Sequence, residues 1–169
     1  KWFLLGMMAF ICFGSFAQSF QFALKTSPNL NFEFDNIQEY QTGITIANAV
    51  TLNVEAVGTQ WDLYVGATTT NPGFWDVVST YGSTGDDPDV GMVELQFRNV
   101  SNTANITGFF QLTDISIPTY VIGSAINPDA AVNCPNKGTN TAGDYRTSPN
   151  CYQFRVDMRI KPGLSYKPG

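Results

Sequence analysis

Histidine is absent from the 169 residues, and charge is scarce, at 14% of the chain. Without histidine there is no Ser-His-Asp triad, no Cys-His dyad and no His-ligated zinc or iron. Basic residues are fewer than acidic ones, 9 against 14, which gives a net charge of −5 and a pI near 4.4. That balance provides no basic face for phosphates and excludes a nucleic-acid binder. Cysteine is limited to three residues. A membrane-spanning run is also missing. The most apolar stretch, Trp2–Phe13, is a dozen residues long, too short for about 30 Å of hydrocarbon. After residue 17 no segment keeps apolar residues at helical spacing over three turns. Polar uncharged residues stand where charge is missing, with 17 Thr and 14 Asn.

What is present begins with an address. Lys1, the apolar run to Phe13 and the small residues Ser15 and Ala17 around Phe16 have the layout of a secretory signal peptide, cleaved after Ala17. The expected organisation is a signal-peptide helix over 1–17 and one domain over 18–169, with no span in the mature chain. Cleavage removes Cys12 and leaves Cys134 and Cys151. An even pair in an exported chain reads as a disulfide. The residues between them are mostly turn formers with no apolar face, and closing such a loop stabilises by about 3 kcal/mol in the chain-entropy model.

Period-2 alternation then recurs along the chain. Apolar residues alternate at Phe20/Phe22/Leu24, Leu30/Phe32/Phe34, Val50/Leu52/Val54/Ala56, Trp61/Leu63/Val65/Ala67 and Val93/Leu95/Phe97. The longest set is Tyr152/Phe154/Val156/Met158/Ile160, opposed by Gln153, Arg155, Asp157 and Arg159. Each set predicts a half-buried strand, with weaker candidates at 75–78, 109–112 and 120–122. About 8–10 strands punctuated by Gly, Pro and Asn predict an all-β chain, an antiparallel β-sandwich of Ig-like or pilin-like kind. The C-terminal Lys161-Pro-Gly-Leu-Ser-Tyr-Lys-Pro-Gly169 is turn chemistry with no strand after it. It reads as a domain clipped at its C-terminus, or as a domain one strand short whose edge a neighbour completes.

Three clusters invite chemistry. Asp86, Asp87 and Asp89 follow Gly82-Ser-Thr-Gly85 and are the candidate ligands for Ca²⁺, which takes oxygen donors on flexible loops. The spacing does not match the D-x-D-x-D-G loop, and a solvated hairpin tip is the plainer reading. Trp75, Tyr81 and Tyr64 are candidates for a glycan-stacking platform, set against the need of any sandwich core for large aromatics. Trp61 is in phase with Leu63 and reads as core, whereas Tyr64 reads as exposed. Asn99-Val-Ser101 and Asn105-Ile-Thr107 have the form of N-glycosylation sequons. No catalytic residue stands out, and an enzyme is not expected.

The stretch Phe34-Asp-Asn-Ile-Gln-Glu-Tyr-Gln-Thr-Gly43-Ile-Thr-Ile-Ala-Asn-Ala-Val-Thr-Leu-Asn-Val-Glu-Ala56, followed by Trp61-Asp-Leu-Tyr-Val65, resembles uncharacterised exported β-sandwich proteins of Bacteroidota. In these a tyrosine, a glycine, a strand and a tryptophan strand recur in surface and pilin-like modules. The resemblance covers roughly residues 30–70 and transfers no catalytic residue. It implies a secreted or cell-surface structural or adhesive protein, bacterial, extracellular or periplasmic. Such a protein works through contact with surface proteins or through self-association at a strand edge. A carbohydrate-binding module is the alternative.

Overall fold

The structure, a computed structural model, describes residues 18–26, 30–76, 85–100, 108–123 and 140–161. Eight strands and two short helices lie among them. In chain order these are β1 (Ser19–Thr26), α1 (Ile37–Thr42), β2 (Ile44–Val57), β3 (Leu63–Val65), β4 (Val93–Asn99), β5 (Phe110–Gln111), β6 (Thr119–Ile122), β7 (Gly143–Asp144), α2 (Pro149–Tyr152) and β8 (Gln153–Ile160). The chain is mostly β, and its strand ladders are antiparallel. A six-stranded sheet runs β1-β2-β8-β4-β5, with β7 also on β2, and β3 pairs with β6 in a second, two-stranded sheet.

β2 is the spine. Residues 50–57 carry β1 along one edge, from Val57 opposite Ser19 to Val50 opposite Thr26. Its other edge is shared end to end. β7 faces Glu55 and Ala56, and β8 takes over from Asn53 down to Ile44. α2 turns the chain between those two partners, with Ser148 before its first turn and Pro149 inside it. Proline suits that position, since its fixed φ is helical and its missing N–H would be unsatisfied there anyway. Beside this corner the Tyr152 ring lies against the backbone of Gly143, where any Cβ would fall 2.1 Å from the ring. β7 therefore requires glycine at that position.

β2 is interrupted by a bulge between Ile46 and Val50. Asn48 sits there with φ +52°, a left-handed conformation that asparagine tolerates better than most residues. Its N–H donates to the Asp157 carboxylate at 2.8 Å, so the irregularity is held by a side chain from β8.

Both sheets feed one core. Leu52, Val54 and Ala56 of β2, Val93, Leu95 and Phe97 of β4, and Phe154 and Val156 of β8 meet Leu63 of β3 and Val121 and Ile122 of β6. Trp61, just before β3, lies at the centre of the aromatic contacts, 5.8 Å from Tyr152 and 6.3 Å from Phe154. Its indole N–H donates to the Thr141 carbonyl at 2.9 Å, which satisfies the polar atom that its burial would otherwise strand.

Several sequence expectations hold and several need correction. β1, β2, β4 and β8 lie where alternation predicts strands, and Phe110–Gln111 and Thr119–Ile122 confirm two of the weaker candidates. Leu30/Phe32/Phe34 form no strand: residues 30–35 are irregular and lead into α1. Local capping wins there. The Asn36 side chain accepts the Glu39 N–H at 3.0 Å, and the Glu39 carboxylate accepts the Asp35 N–H at 2.6 Å, an interlock close to a capping box. Phe34 also stacks on Tyr40 at 4.8 Å across the helix start. The expected strand over Trp61–Ala67 shortens to Leu63–Val65, with Ala67 held only in an isolated parallel bridge to Asp114. Asn53 has the outward phase yet is buried, because the Gln153 amide donates to its side-chain oxygen at 2.6 Å.

Candidate assembly site

β1 is where the pattern and the packing part company. It alternates as the core strands do, and its apolar residues point to the core side, with Phe20 6.4 Å from Trp61. Yet Phe20, Phe22 and Leu24 keep 47%, 51% and 56% of their surface exposed. Two facts account for this. β1 ends the sheet, pairing among the described residues with β2 alone. Leu63–Val65 of β3 and side chains of β2, β4 and β8 wall a groove that stays open where Phe22 and Leu24 line it.

This groove is made of two adjoining cavities of about 240 Å³ each. Phe22, Leu63 and Tyr64 line both. The first lies between Phe20 and Phe22 on one side and Trp61, Asp62 and Tyr64 on the other. The second runs on past Leu24, walled by Leu63–Val65 and floored by side chains of β2, β4 and β8, including Leu52, Leu95 and Val156. Among the described residues, the titratable groups lining the groove are Tyr64 and Asp62. Partial burial pushes the Asp62 carboxyl above its ordinary value, because desolvation disfavours the charged form. Asp62 is fixed from behind by a close approach to Gly123, where a Cβ would lie 1.9 Å from its Oδ1. Chemically the groove offers apolar burial beside a backbone edge without a partner among the described residues.

The opposite face of the large sheet is ionic. Arg159 of β8 pairs with Glu94 of β4, Nε to Oε2 at 2.5 Å, and its guanidinium lies 4.2 Å from the centre of the Phe109 ring. Arg98 of β4 pairs diagonally with the buried Asp157 at 2.5 Å. Near the β7 end, exposed Arg146 reaches Glu55 at 2.6 Å and Asp144 at 3.2 Å. Hydrogen bonds to Glu55 and then Asp144 raise its pKa further above the ordinary guanidinium value.

The residues singled out in the sequence do not gather into one site. Asp89 turns its carboxylate onto the Gly91 N–H at 2.6 Å and so caps the single 3₁₀ turn, Val90–Met92, while Asp86 and Asp87 are exposed. Among the described residues no three His, Cys, Asp or Glu side chains are grouped as metal ligands, and Ser83 and Thr84 of that loop lie outside them. Trp75 packs partly buried against the core, held by its backbone N–H on the Pro88 carbonyl at 2.8 Å. Tyr64 is exposed as expected, and its ring lies tilted against Tyr120 at 5.3 Å. Tyr81 lies outside the described residues. Asn99 is 3% exposed at the end of β4, which removes it as a glycan acceptor, and Asn105 lies outside the described residues. Cys151 is buried and disulfide-bonded; Cys134, residues 1–17 and the Pro-Gly tail from 162 lie outside the described residues.

Sequence reasoning missed the groove. Its signal was present in Phe20, Phe22 and Leu24 standing first among the strands, where an edge position is common, but alternation does not report coverage. No helix among the described residues is long and apolar enough to cross a membrane. Compared with known proteins, the chain matches no family model and no curated sequence.

Proposed function

We propose that the chain is an exported structural or adhesive subunit, an antiparallel β-sandwich of Ig-like or pilin-like kind that works through an assembly surface without catalysis. One observation carries this: the row Phe20/Phe22/Leu24, half exposed on a strand edge without a partner among the described residues and opening into an apolar groove. A long, apolar edge strand is a liability that soluble proteins ordinarily blunt with charge, proline or a covering loop. Over Ser19–Thr26 this edge has no proline and a single charged position, Lys25, near its end. Such an edge is kept where pairing is its use.

Export fits the same reading. Cleavage after Ala17 would start the mature chain at Gln18, one residue before this edge, and an oxidising compartment suits a Cys134–Cys151 bond. Kinship with exported Bacteroidota proteins is part of the proposal.

The test is fractionation of cells expressing the full chain, with the mature N-terminus and assembly state read by mass spectrometry and native gel. Recovery outside the cytoplasm, processed before Gln18 and in complexes larger than a monomer, is expected. Cytoplasmic retention, or an exported chain that stays monomeric and binds nothing at the cell surface, overturns it.

A further inference from the structure

An edge of this kind is specific only if one partner strand fits it, and β1 fits itself. Apolar side chains occupy residues 20, 22 and 24, and Gln21 and Ala23 hold the opposite phase. If a second β1 approaches antiparallel with Phe22 opposite Phe22, then Phe20 stands opposite Leu24, Gln21 opposite Ala23 and Ser19 opposite Lys25. Every apolar residue meets an apolar residue on the groove side. The only charged position in the strand, Lys25, meets a serine, so no like charges are opposed. A register slipped by one residue would set Phe22 against Ala23, Leu24 against Gln21 and Phe20 against Lys25, so the apolar row would lose its matching partner.

The area agrees with a modest interface. Half of two phenylalanines and a leucine is about 300 Å² of apolar surface per copy, and the strand edge adds its backbone groups. That falls below the roughly 800 Å² per partner of a stable complex and within the weak class.

We propose that β1 pairs antiparallel with β1 of a second copy of this chain, centred on Phe22, joining two six-stranded sheets into one continuous sheet and covering Phe20, Phe22 and Leu24 of both. This rests on the assembly reading above and names its partner. The symmetry is two-fold and isologous, so the contact closes at a dimer. Without Lys1 each mature copy has 8 basic and 14 acidic residues, a net charge of −6, and the long-range repulsion between copies is screened by salt. Dimerisation therefore strengthens as ionic strength rises, the reverse of a dimer held by ion pairs.

Cysteine pairs read the register. Gln21 and Ala23 are exposed and point away from the groove, so cysteine at either leaves the apolar row intact and does not threaten the fold. Opposed residues in an antiparallel ladder lie about 4.5–5.5 Å apart at Cα, within disulfide reach. Under mild oxidation of the mature protein, a mixture of Gln21→Cys and Ala23→Cys is expected to give a cross-linked heterodimer, at least about tenfold more than either variant alone. By sedimentation, Phe22→Asp is expected to weaken the dimer at least about tenfold, with a far-ultraviolet spectrum like the parent's. Ala23→Cys linking to itself would overturn the register. A parent that stays monomeric at high concentration and high salt, with no mixed disulfide, would overturn the second copy as partner. If that monomer still assembles on the cell surface and Phe22→Asp abolishes that assembly, the edge works with a different protein and the wider reading stands. If Phe22→Asp changes nothing on the cell surface, both fail.

Discussion

β1 and β8 carry nearly the same message in sequence and opposite fates in the fold. Phe20/Phe22/Leu24 alternate with Gln21 and Ala23, and Phe154/Val156/Met158 with Arg155 and Asp157, each over one strand length. β8 lies between β2 and β4, and Phe154 and Val156 are 1% and 5% exposed; β1 ends the sheet, and about half of each of its apolar side chains meets solvent. The period fixes which side of a strand faces the core. It does not fix how many neighbours the strand has, nor how far the opposing layer reaches. In this chain β8 has a strand on each side and packs its apolar residues into the common core, whereas β1 has β2 alone among the described residues.

The comparison breaks most sharply under truncation of one ring on each strand. Phe154 touches Trp61 and sits in the common core. Phe154→Ala is expected to cost about 3–5 kcal/mol, the lost transfer energy together with the cavity left behind. Phe22→Ala removes the same atoms from a half-exposed groove and is expected to cost about 1 kcal/mol in the monomer. Paired urea titrations at low protein concentration measure both. Equal losses would mean that β1 is covered in solution, and the contrast drawn between the strands would fail.

A second contrast lies among the charges of the outer face. Asp157 of β8 is buried, pairs with Arg98 and accepts the N–H of Asn48 in the β2 bulge. Asp157→Ala leaves a mostly buried guanidinium and a bulge N–H without their shared acceptor, and about 2–4 kcal/mol should be lost. Arg146 is more than half exposed in its own pairs with Glu55 and Asp144. Exposed pairs of that kind contribute little, so Arg146→Ala is expected to leave the unfolding midpoint unchanged within error. Thermal melts of the two variants test whether the central strand is anchored on its polar side as well as its apolar one.

Much of this was legible in the residues. Val93/Leu95/Phe97 and the run from Tyr152 to Ile160 declared their strands and buried sides, and Trp61 declared itself core by its phase with Leu63. What was not legible depended on partners distant in sequence. Leu30/Phe32/Phe34 alternate correctly, but Asn36 and Glu39 close a helix cap immediately afterwards, and no sheet neighbour draws residues 30–35 into a ladder. Asn53 and Asn99 have polar side chains that the fold buries, which only the tertiary context reveals. The groove was invisible for the same reason: its lining comes from β1, β2, β3, β4 and β8, and no single segment contains it.

The finest probe of the β1 side is Asp62, the one carboxylate lining its groove. Its pKa is raised in the folded protein by desolvation, so folding disfavours its charged form. The sign follows from linkage. Below the ordinary carboxylate range both folded and unfolded chains hold the proton, and no penalty exists. As pH rises through that range the unfolded chain ionises first, and the penalty grows until pH passes the raised folded value and then stays constant. Asp62→Asn keeps the shape beside Gly123 and removes the charge. It should raise stability at neutral pH by no more than about 0.5 kcal/mol, because the carboxyl remains largely solvated. That gain should vanish below the ordinary carboxylate range. If the β1 edges pair as proposed and draw Asp62 further from water, then at salt high enough to screen the net charge the parent dimer tightens more on mild acidification than the Asp62→Asn dimer does. A parent dimer indifferent to pH would mean that the paired edge leaves the mouth of the groove open, with burial confined to Phe22 and Leu24.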